Sequence, residues 1–420
     1  MYWTHLFRNY KKNQRWDWHL VIYAINVFLV VYGYGLRGDS FQMVKNIRTV
    51  LVVVSLAGLF LLPKSQNYVF DSKKNWVIWT LLGLITLTIP FSINMVRGFE
   101  RLAAWVPFMI YVNYFVVYLF RQYQKEEAKI KLLQLFSLVY FYPVALMFVR
   151  GVVFQTENIY GQAIDMYRAN VLGWACAFFL LTSFDLLSNL PTSRRFRFIF
   201  YVIALFTLWG IVLTGSRSSY LSLAAGILIL VVRNNRTPLY FKALSVICIS
   251  AFAYYIITSP DSVVNLRSQY AEIRQQRGEI RFQLAEQAIS TFWKHPQLFI
   301  TGYGFDNFRE GLFYFANIRT ELAPHNSYLE LLFSCGVFVF LFFLAFVVFP
   351  AFVKYIRFDS QYYVFFPMLA IVPYFESNLN AGQFLFFPWM TFLFYYVHIS
   401  SQQIASYNTV NPSPKTLEKA

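Results

Sequence analysis

The residues best suited to chemistry lie in the segment 324–330, which reads PHNSYLE. The chain has only five histidines, and His325 falls where a polar segment meets a long apolar run. Polar clusters beside a bilayer are costly, so they mark functional sites. An imidazole titrates near neutral pH and can accept a proton from a hydroxyl group or orient a ligand. We therefore predict a catalytic role for His325, with Asn326 and Tyr328 as hydrogen-bonding groups beside it.

A second set of candidates consists of arginines at predicted membrane boundaries. The turn 213–218 reads LTGSRS and separates two apolar runs, which holds Arg217 and the adjacent Ser216 at the membrane surface. The polar segment before His325 adds four arginines within about 80° of one helical face, namely Arg267, Arg274, Arg277 and Arg281. Guanidinium groups bind phosphate and carboxylate in bidentate geometry, so these residues, with Arg319 beyond them, predict an anion site.

An ordinary amphipathic helix at the membrane interface is the alternative for this arginine-bearing segment. The pattern predicts a helix over 261–293, with its glutamates on the face opposite the arginines and with Gly278 as a point where it would break. Beyond it, the sequence TGYGFDNF at 301–308 predicts a tight turn. Asp306 or Asn307 is expected to cap the short helix that follows.

Membrane helices must position these residues. The chain of 420 residues is 58% hydrophobic and 13% charged, and its apolar runs are long enough to cross about 30 Å of hydrocarbon. We predict an all-α polytopic membrane protein with about twelve transmembrane helices and one long external helical loop between spans 9 and 10. The predicted spans are 18–36, 47–63, 76–95, 102–120, 132–153, 168–187, 196–214, 218–233, 240–258, 327–349, 361–378 and 383–399.

The distribution of charge predicts the orientation. Basic residues precede the first span and recur in alternate loops, and cytoplasmic loops attract Lys and Arg, so both termini are predicted to be cytoplasmic. The predicted units are a membrane domain of spans 1–9 (1–258), the external helical loop (259–326), spans 10–12 (327–400) and a cytoplasmic tail (401–420).

The predicted outer face is biased toward arginine. Of the 36 Lys and Arg residues, 15 fall outside in this topology, and 13 of those are arginine. Positive charge alone would not require arginine, so the bias again favours anion recognition. A short external turn carries Arg97, Glu100 and Arg101, which we interpret as a local charge cluster that could line the same site.

Several other kinds of site find no support in the sequence. The three cysteines, Cys176, Cys248 and Cys335, lie in or beside apolar runs, which argues against a disulfide framework. Neither a Cys/His spacing typical of zinc nor a glycine-rich nucleotide loop occurs, so no metal and no cofactor is predicted. No basic soluble domain suited to nucleic acid is evident. An activated donor, rather than ATP, is expected to supply the energy.

Three motifs over about 205–345 resemble one family of bacterial membrane proteins, the O-antigen ligase and Wzy-type polysaccharide polymerase superfamily. They are LTGSRS at 213–218, the stretch from Arg281 to GYGFDNF at 302–308, and PHNSYLELL at 324–332 with Gly336 after it. These are similar to the family's short arginine turn, its external-loop pattern and its His-Asn motif at the start of a span. Their order and shared external face carry the resemblance.

The resemblance implies an inverting, metal-independent glycosyltransferase of the membrane-embedded GT-C type. Its donor would be a glycan on undecaprenyl diphosphate, presented on the periplasmic face of the bacterial cytoplasmic (inner) membrane. Carried over, Arg217 and Arg281 would stabilise the diphosphate leaving group, and His325 would act as general base or position the acceptor. The other predicted substrate-binding residues are Ser216, Arg274, Arg277, Arg319, Asn326 and Tyr328.

The superfamily divides by acceptor. A ligase attaches O-antigen to lipid A–core in lipopolysaccharide biosynthesis, and the long external loop and twelve spans favour it. A polymerase of O-antigen, capsule or exopolysaccharide would use a lipid-linked repeat unit as acceptor and a chain-length regulator as partner. A branch that glycosylates proteins often carries an extra C-terminal domain, unlike the short polar tail here. A transporter of lipid-linked sugar, from a different class, would place its charges at mid-bilayer rather than at one surface.

Overall fold

The computed structural model describes eleven stretches of the chain and four isolated helical positions. The stretches are 8–9, 15–33, 38–61, 72–149, 169–189, 194–214, 216–233, 277–319, 326–360, 362–375 and 385–399, and the isolated positions are 240, 243, 247 and 254. Their regular structure is helical apart from one antiparallel bridge between β1 (Arg8–Asn9) and β2 (Arg15–Trp16).

The helices in the first part of the described chain, in order, are α1 (Trp18–Gly33), α2 (Gly38–Leu61), α3 (Ser72–Thr88), α4 (Met95–Gln122), α5 (Lys125–Val149), α6 (Ala169–Asn189), α7 (Arg194–Thr214) and α8 (Arg217–Arg233). The later helices are α9 (Arg277–Lys294), α10 (Leu298–Thr301), α11 (Phe308–Ala316), α12 (Ser327–Phe343), α13 (Phe349–Phe358), α14 (Val372–Phe375) and α15 (Phe386–His398). A π-helical turn at Leu344–Val348 joins α12 to α13, and another at Pro367–Ile371 precedes α14.

Described helices coincide with eleven of the twelve predicted spans, and the ninth span lies outside the described residues apart from the isolated positions. Within the described chain, four helices have the length and composition to cross a membrane, namely Met95–Gln122, Lys125–Val149, Val171–Ser188 and Ser327–Phe358. Four shorter apolar helices are Trp18–Gly33, Asn75–Phe91, Arg197–Val212 and Ser218–Val231. The helical fold class is confirmed; the count of twelve spans stays a prediction.

The helices are joined by aromatic packing and by hydrogen bonds between helices. The ring of Tyr23 stacks on that of Phe115, with 3.6 Å between centroids, and its hydroxyl contacts Thr391. The hydroxyls of Ser137 and Ser183 lie 2.7 Å apart between α5 and α6. Lipid tails are as apolar as leucine, so packing and polar contacts, rather than the hydrophobic effect, hold membrane helices together.

A buried ion cluster joins the start of α5 to the end of α13. The Nζ of Lys129 lies 2.6 Å from a carboxylate oxygen of Asp359, and both side chains are fully buried. Glu126 accepts a second bond from Lys129 at 2.9 Å and one from the Tyr362 hydroxyl, also at 2.9 Å. Two buried charges of opposite sign offset much of the desolvation cost that either would incur alone.

Replacing Lys129 by alanine is expected to lower the free energy of unfolding by about 3 kcal/mol, because it leaves Asp359 buried with reduced charge compensation. The measurement is unfolding of purified protein by SDS in mixed micelles. Lys45→Ala, at an exposed position of α2, is the control and should change stability by less than about 0.5 kcal/mol. If the double variant Lys129→Met/Asp359→Leu regains the stability of the parent, the buried unpaired charge is the cause of the loss. Equal losses of stability in Lys129→Ala and in the control would contradict this explanation.

Candidate functional site

The predicted arginine turn is present and tight. Helix α7 ends at Thr214 and α8 begins at Arg217, so two residues connect them. The carbonyl oxygen of Ser216 accepts the amide hydrogens of Ser219 and Tyr220, each at 3.1 Å, and so starts α8. The buried Ser216 hydroxyl lies 2.8 Å from that of Ser219. Ser216, a predicted substrate-binding residue, therefore uses its polar groups within the turn.

This turn is seated on α6. A Cβ added to Gly173 would lie 2.8 Å from the Ser216 Cβ and 2.8 Å from the Ser219 hydroxyl, so only glycine allows this approach. The packing leaves the backbone at Arg217 little freedom, as the sequence predicted. The position of the Arg217 side chain lies outside the described residues, so its role stays a prediction.

The arginine-bearing helix is described from its Arg277 end. Helix α9 is described from Arg277 to Lys294, so the second half of the predicted helix 261–293 is helical. Gly278 is the second residue of the described helix and the residues before Arg277 lie outside the described part, so the break at Gly278 stays a prediction. Arg277 and Arg281 are four residues apart, so they share a face of the helix. Their side chains lie outside the described residues. The same holds for the whole of residues 255–276, which include Arg267 and Arg274.

The GYG turn docks into a break in α12. At Gly336 the backbone has φ 80° and ψ 177°, which interrupts the helix. The carbonyl oxygens of Phe333 and Ser334 accept the amide hydrogens of Tyr303 at 2.7 Å and of Gly304 at 2.9 Å. On the other side of the turn, the amide of Ile93 donates to the Tyr303 carbonyl at 3.1 Å. Three segments distant in sequence therefore share one hydrogen-bonded strip.

Two glycines make this contact sterically feasible. Gly302 has φ 66°, and a Cβ there would lie 2.5 Å from the Ser334 carbonyl carbon. A Cβ at Gly336 would overlap the carbonyl oxygen of Ile300. The sequence predicted a turn at Gly302 and Gly304. It did not predict the partner of that turn, because the break at Gly336 lies more than thirty residues away and no local pattern relates the two segments.

An aromatic cluster covers the docked turn. The ring of Phe292 in α9 contacts those of Tyr303 and Phe333, with centroids 5.1 and 5.5 Å apart. Leu298 and Leu312 are buried in the same cluster. Burial raises the pKa of the Tyr303 hydroxyl above its usual value, so this group stays neutral. Helices α9, α10 and α11 therefore form one packed unit against the first half of α12.

Ion pairs link this unit to the start of α4. Arg101 Nε lies 2.9 Å from an Asp306 carboxylate oxygen, and an Arg97 nitrogen lies 3.6 Å from the same carboxylate. Arg97 also pairs with Glu310. The expected short turn at Arg97, Glu100 and Arg101 is wrong, because these residues lie in the first turns of α4. Both arginines pair with carboxylates of the segment 306–310, and their part in lining the site stays a prediction. These side chains are partly exposed, so each pair contributes about 1 kcal/mol or less.

The predicted cap of the short helix is only half right. Asn307 occupies the N-terminal position of α11, but its side chain makes no capping bond. Instead its Nδ2 donates to the carbonyl oxygens of Phe305 at 3.0 Å and Asn94 at 3.2 Å. Asp306, with φ 58°, is occupied by its arginine partners. Contact with the Asn94 turn, distant in sequence, has replaced the local cap.

Asn326 and Tyr328 have structural partners at the start of α12. The Asn326 Oδ1 accepts the amide hydrogens of Tyr328 at 2.9 Å and Leu329 at 3.0 Å, which makes it the N-cap of α12. The Tyr328 hydroxyl donates to the Leu369 carbonyl at 3.3 Å, and the ring packs against the core. The adjacent His325 lies outside the described residues. Substrate binding by Asn326 and Tyr328 stays a prediction.

Arg319 is exposed at the end of the described loop segment, and its guanidinium lies 5.1 Å from the Phe313 ring centroid. Such stacking orients a guanidinium without neutralising its charge. The Arg319 guanidinium therefore keeps the charge needed to pair with an anion. The part of Arg319 in substrate binding stays a prediction.

The segment 367–375 brings the two motif-bearing helices together. Helix α8, which starts at Arg217, packs on the π-helical turn Pro367–Ile371 and on α14. Helix α12, which starts beside His325, packs on α14 and bonds to Leu369 through Tyr328. Sequence reasoning missed this bridge, because nothing in its apolar pattern marks the residue that will accept a bond from Tyr328.

Within the described residues, no cluster of three or more His, Cys, Asp or Glu side chains is placed to hold a metal ion. Cys176 and Cys335 are free and buried, and Cys248 lies outside the described residues. Metal independence stays a prediction.

Gly336→Ala is expected to lower the free energy of unfolding by about 1–3 kcal/mol, because alanine is strained at this φ and would overlap the Ile300 carbonyl. Gly83→Ala, in α3, is the matched control, since a Cβ there meets nothing within 4 Å. It should be neutral or stabilising by up to about 1 kcal/mol. Unfolding by SDS measures the free energy of unfolding of both variants. Equal values for the two would show that the docked turn is not needed for stability.

Asn326→Ala is expected to lose about 1 kcal/mol of stability through loss of the cap, whereas Asn326→Ser, which can still accept the amide bonds, should stay near the parent. The same SDS titration measures both. A loss of equal size in the serine variant would mean that the carboxamide is held by contacts other than the cap.

Comparison with known families bears on the same region. Residues 202–344 match the family model described as O-antigen ligase. No curated protein matches the chain. The match contains the arginine turn, α9, the GYG turn and the start of α12, and it supports a membrane glycosyltransferase of the O-antigen ligase or polymerase type. The resemblance predicted from the motifs is thereby confirmed over this segment, since residues 202–344 match the O-antigen ligase family model.

Proposed function

We propose that this protein is an O-antigen ligase that transfers a glycan from undecaprenyl diphosphate to lipid A–core on the periplasmic face of the inner membrane. The observation that carries the proposal is the family match over 202–344, which contains every predicted catalytic residue. The packing of α8 and α12 on the segment 367–375 supports it, because the two helices that start at Arg217 and beside His325 share a support.

In the proposed reaction, an acceptor hydroxyl oxygen attacks the anomeric carbon of the donor sugar from the side opposite the diphosphate. The bond between that carbon and the diphosphate oxygen breaks, and undecaprenyl diphosphate leaves with the electron pair. His325 accepts the hydroxyl proton or orients the acceptor. The configuration at the anomeric carbon is therefore inverted.

Negative charge grows on the leaving oxygen in this step, so positive groups at that position lower the barrier. We propose that Arg217 and Arg281 supply this positive charge. Arg277 lies one turn before Arg281 on the same helix face. Arg217 is also the first residue of α8, where unpaired amide groups and the helix dipole favour an anion. Electrostatic stabilisation of this kind needs no metal.

We propose that residues at the start of α12 bind the acceptor substrate. The cap uses the carboxamide oxygen of Asn326, which leaves its amide nitrogen as a donor for a sugar hydroxyl. Tyr328 would act indirectly, by holding α12 to Leu369. Arg319 and Arg274 remain proposed contacts of the glycan or diphosphate.

The test is glycan transfer by purified, reconstituted protein with undecaprenyl-diphosphate-linked glycan, EDTA, and either lipid A–core or a lipid-linked repeat unit. Arg217→Ala and His325→Ala are each expected to lower kcat/KM by about 100-fold or more. Arg217→Lys should fall between, because lysine keeps the charge but loses the bidentate fork. Arg194→Ala, an exposed residue at the opposite end of α7, is the control and should be unchanged.

The products separate the alternatives. A single transfer to lipid A–core supports the ligase. Ladders formed only on the lipid-linked repeat unit would make the protein a polymerase. Movement of glycolipid across the bilayer, with no transfer to either acceptor, would refute the enzyme and favour a transporter.

A further inference from the structure

An exposed apolar strip runs along the external helices α9 and α10. It consists of Ile289, Trp293 and Ile300, whose exposed fractions are 45%, 73% and 58%. The inward face of α9 is occupied by buried residues such as Ala288 and Phe292, and Ile289 and Trp293, four residues apart, lie together on its flank. The Trp293 ring lies 5.2 Å from that of Phe299, which connects the strip to α10.

The lipid-facing part of the neighbouring helix marks the depth of the membrane. The large apolar side chains exposed along α12, the π-helical turn and α13 are Phe338, Leu341, Phe346, Phe349, Val353 and Ile356. At 1.5 Å per residue this band is roughly 27 Å long, close to the ~30 Å hydrocarbon thickness of a bilayer. Because the band is about as long as the hydrocarbon is thick, its end at Phe338 lies near one hydrocarbon boundary. Between 327 and 336 the helix is covered by protein, including the cluster around Tyr303.

The strip begins at this boundary. The Ile300 carbonyl lies against Gly336, two residues before Phe338, so the α10 end of the strip is close to the end of the lipid-facing band. Tryptophan is enriched where hydrocarbon meets headgroups. The exposed Lys294 beside it suits anionic lipid headgroups. On the other flank of α9, Gln283 and Gln287 are exposed and polar, as expected for a face in water.

We infer that α9 and α10 lie in the outer leaflet at the boundary between headgroups and acyl chains, with the strip of Ile289, Trp293 and Ile300 covered by lipid. The external loop is thus a membrane-surface element rather than a loop in free solution. Helix α9 also carries Arg277 and Arg281, and with the axis of α9 along the membrane surface both residues would lie at headgroup height. This last consequence alone rests on the proposed function, since headgroup height is where a lipid-linked diphosphate lies.

Site-directed spin labelling tests the inference. Single cysteines at Ile289, Trp293 and Ile300 carry a nitroxide, and the protein is reconstituted in vesicles of phosphatidylethanolamine and phosphatidylglycerol. Gln283→Cys and Gln287→Cys are the matched controls on the polar flank of the same helix. Unsubstituted protein, labelled in parallel, measures any signal from the native cysteines. Power saturation compares collisions with oxygen, which partitions into lipid, and with a neutral nickel chelate, which stays in water.

Labels on the strip are expected to show an oxygen-to-nickel collision ratio several-fold above that of the controls. Equal, nickel-rich ratios at all five positions would overturn the inference and place the strip in water. Exclusion of both reagents from the strip would also overturn it, by showing that protein, such as a second copy of the chain, covers these residues. The result does not depend on catalysis, so lipid contact without glycan transfer would uphold this inference while refuting the proposed function.

Discussion

A break in a membrane helix obliges its backbone to find hydrogen-bond partners, and the region around α9 to α12 is built around that requirement. At Gly336 the helix is interrupted, and the carbonyls of Phe333 and Ser334 accept bonds from Tyr303 and Gly304. Irregular backbone near a bilayer is tolerated only when protein or water satisfies it. The GYG turn meets this requirement, and the aromatic cluster around Tyr303 buries the contact.

This contact also sets the geometry of the candidate site. The helix that it engages starts at Asn326, next to His325, and the cluster that covers it includes Phe292 of the arginine-bearing α9. One contact therefore relates the histidine motif to Arg281. The bond from Tyr328 to Leu369 relates the same helix to the support of α8 and hence to Arg217. Electrostatic catalysis depends on groups that are held in place before the charge develops, and these packing contacts are suited to hold them.

The two ends of the helix that runs from α12 into α13 are stabilised differently. The α13 end has the buried pair of Lys129 and Asp359, in which the loss of one partner is costly. The α12 end has backbone bonds and the partly exposed pairs of Asp306 with Arg97 and Arg101, each of small energy. The proposed site would have to admit two large substrates, and weak contacts at the α12 end, with strong ones at the α13 end, are compatible with that role.

The sequence by itself determined the elements that depend on local interactions. Hydropathy located the helices, including the start of α12 at residue 327, and the short polar gap located the turn before Arg217. Only the tertiary structure decided which elements meet. Asn307 bonds to Asn94 rather than capping its helix, Arg97 pairs with Asp306 rather than with its neighbours, and the GYG turn docks at Phe333. The reason is physical: helix formation follows from side chains a few residues apart, whereas a hydrogen bond or ion pair between distant segments depends on how all the intervening helices pack.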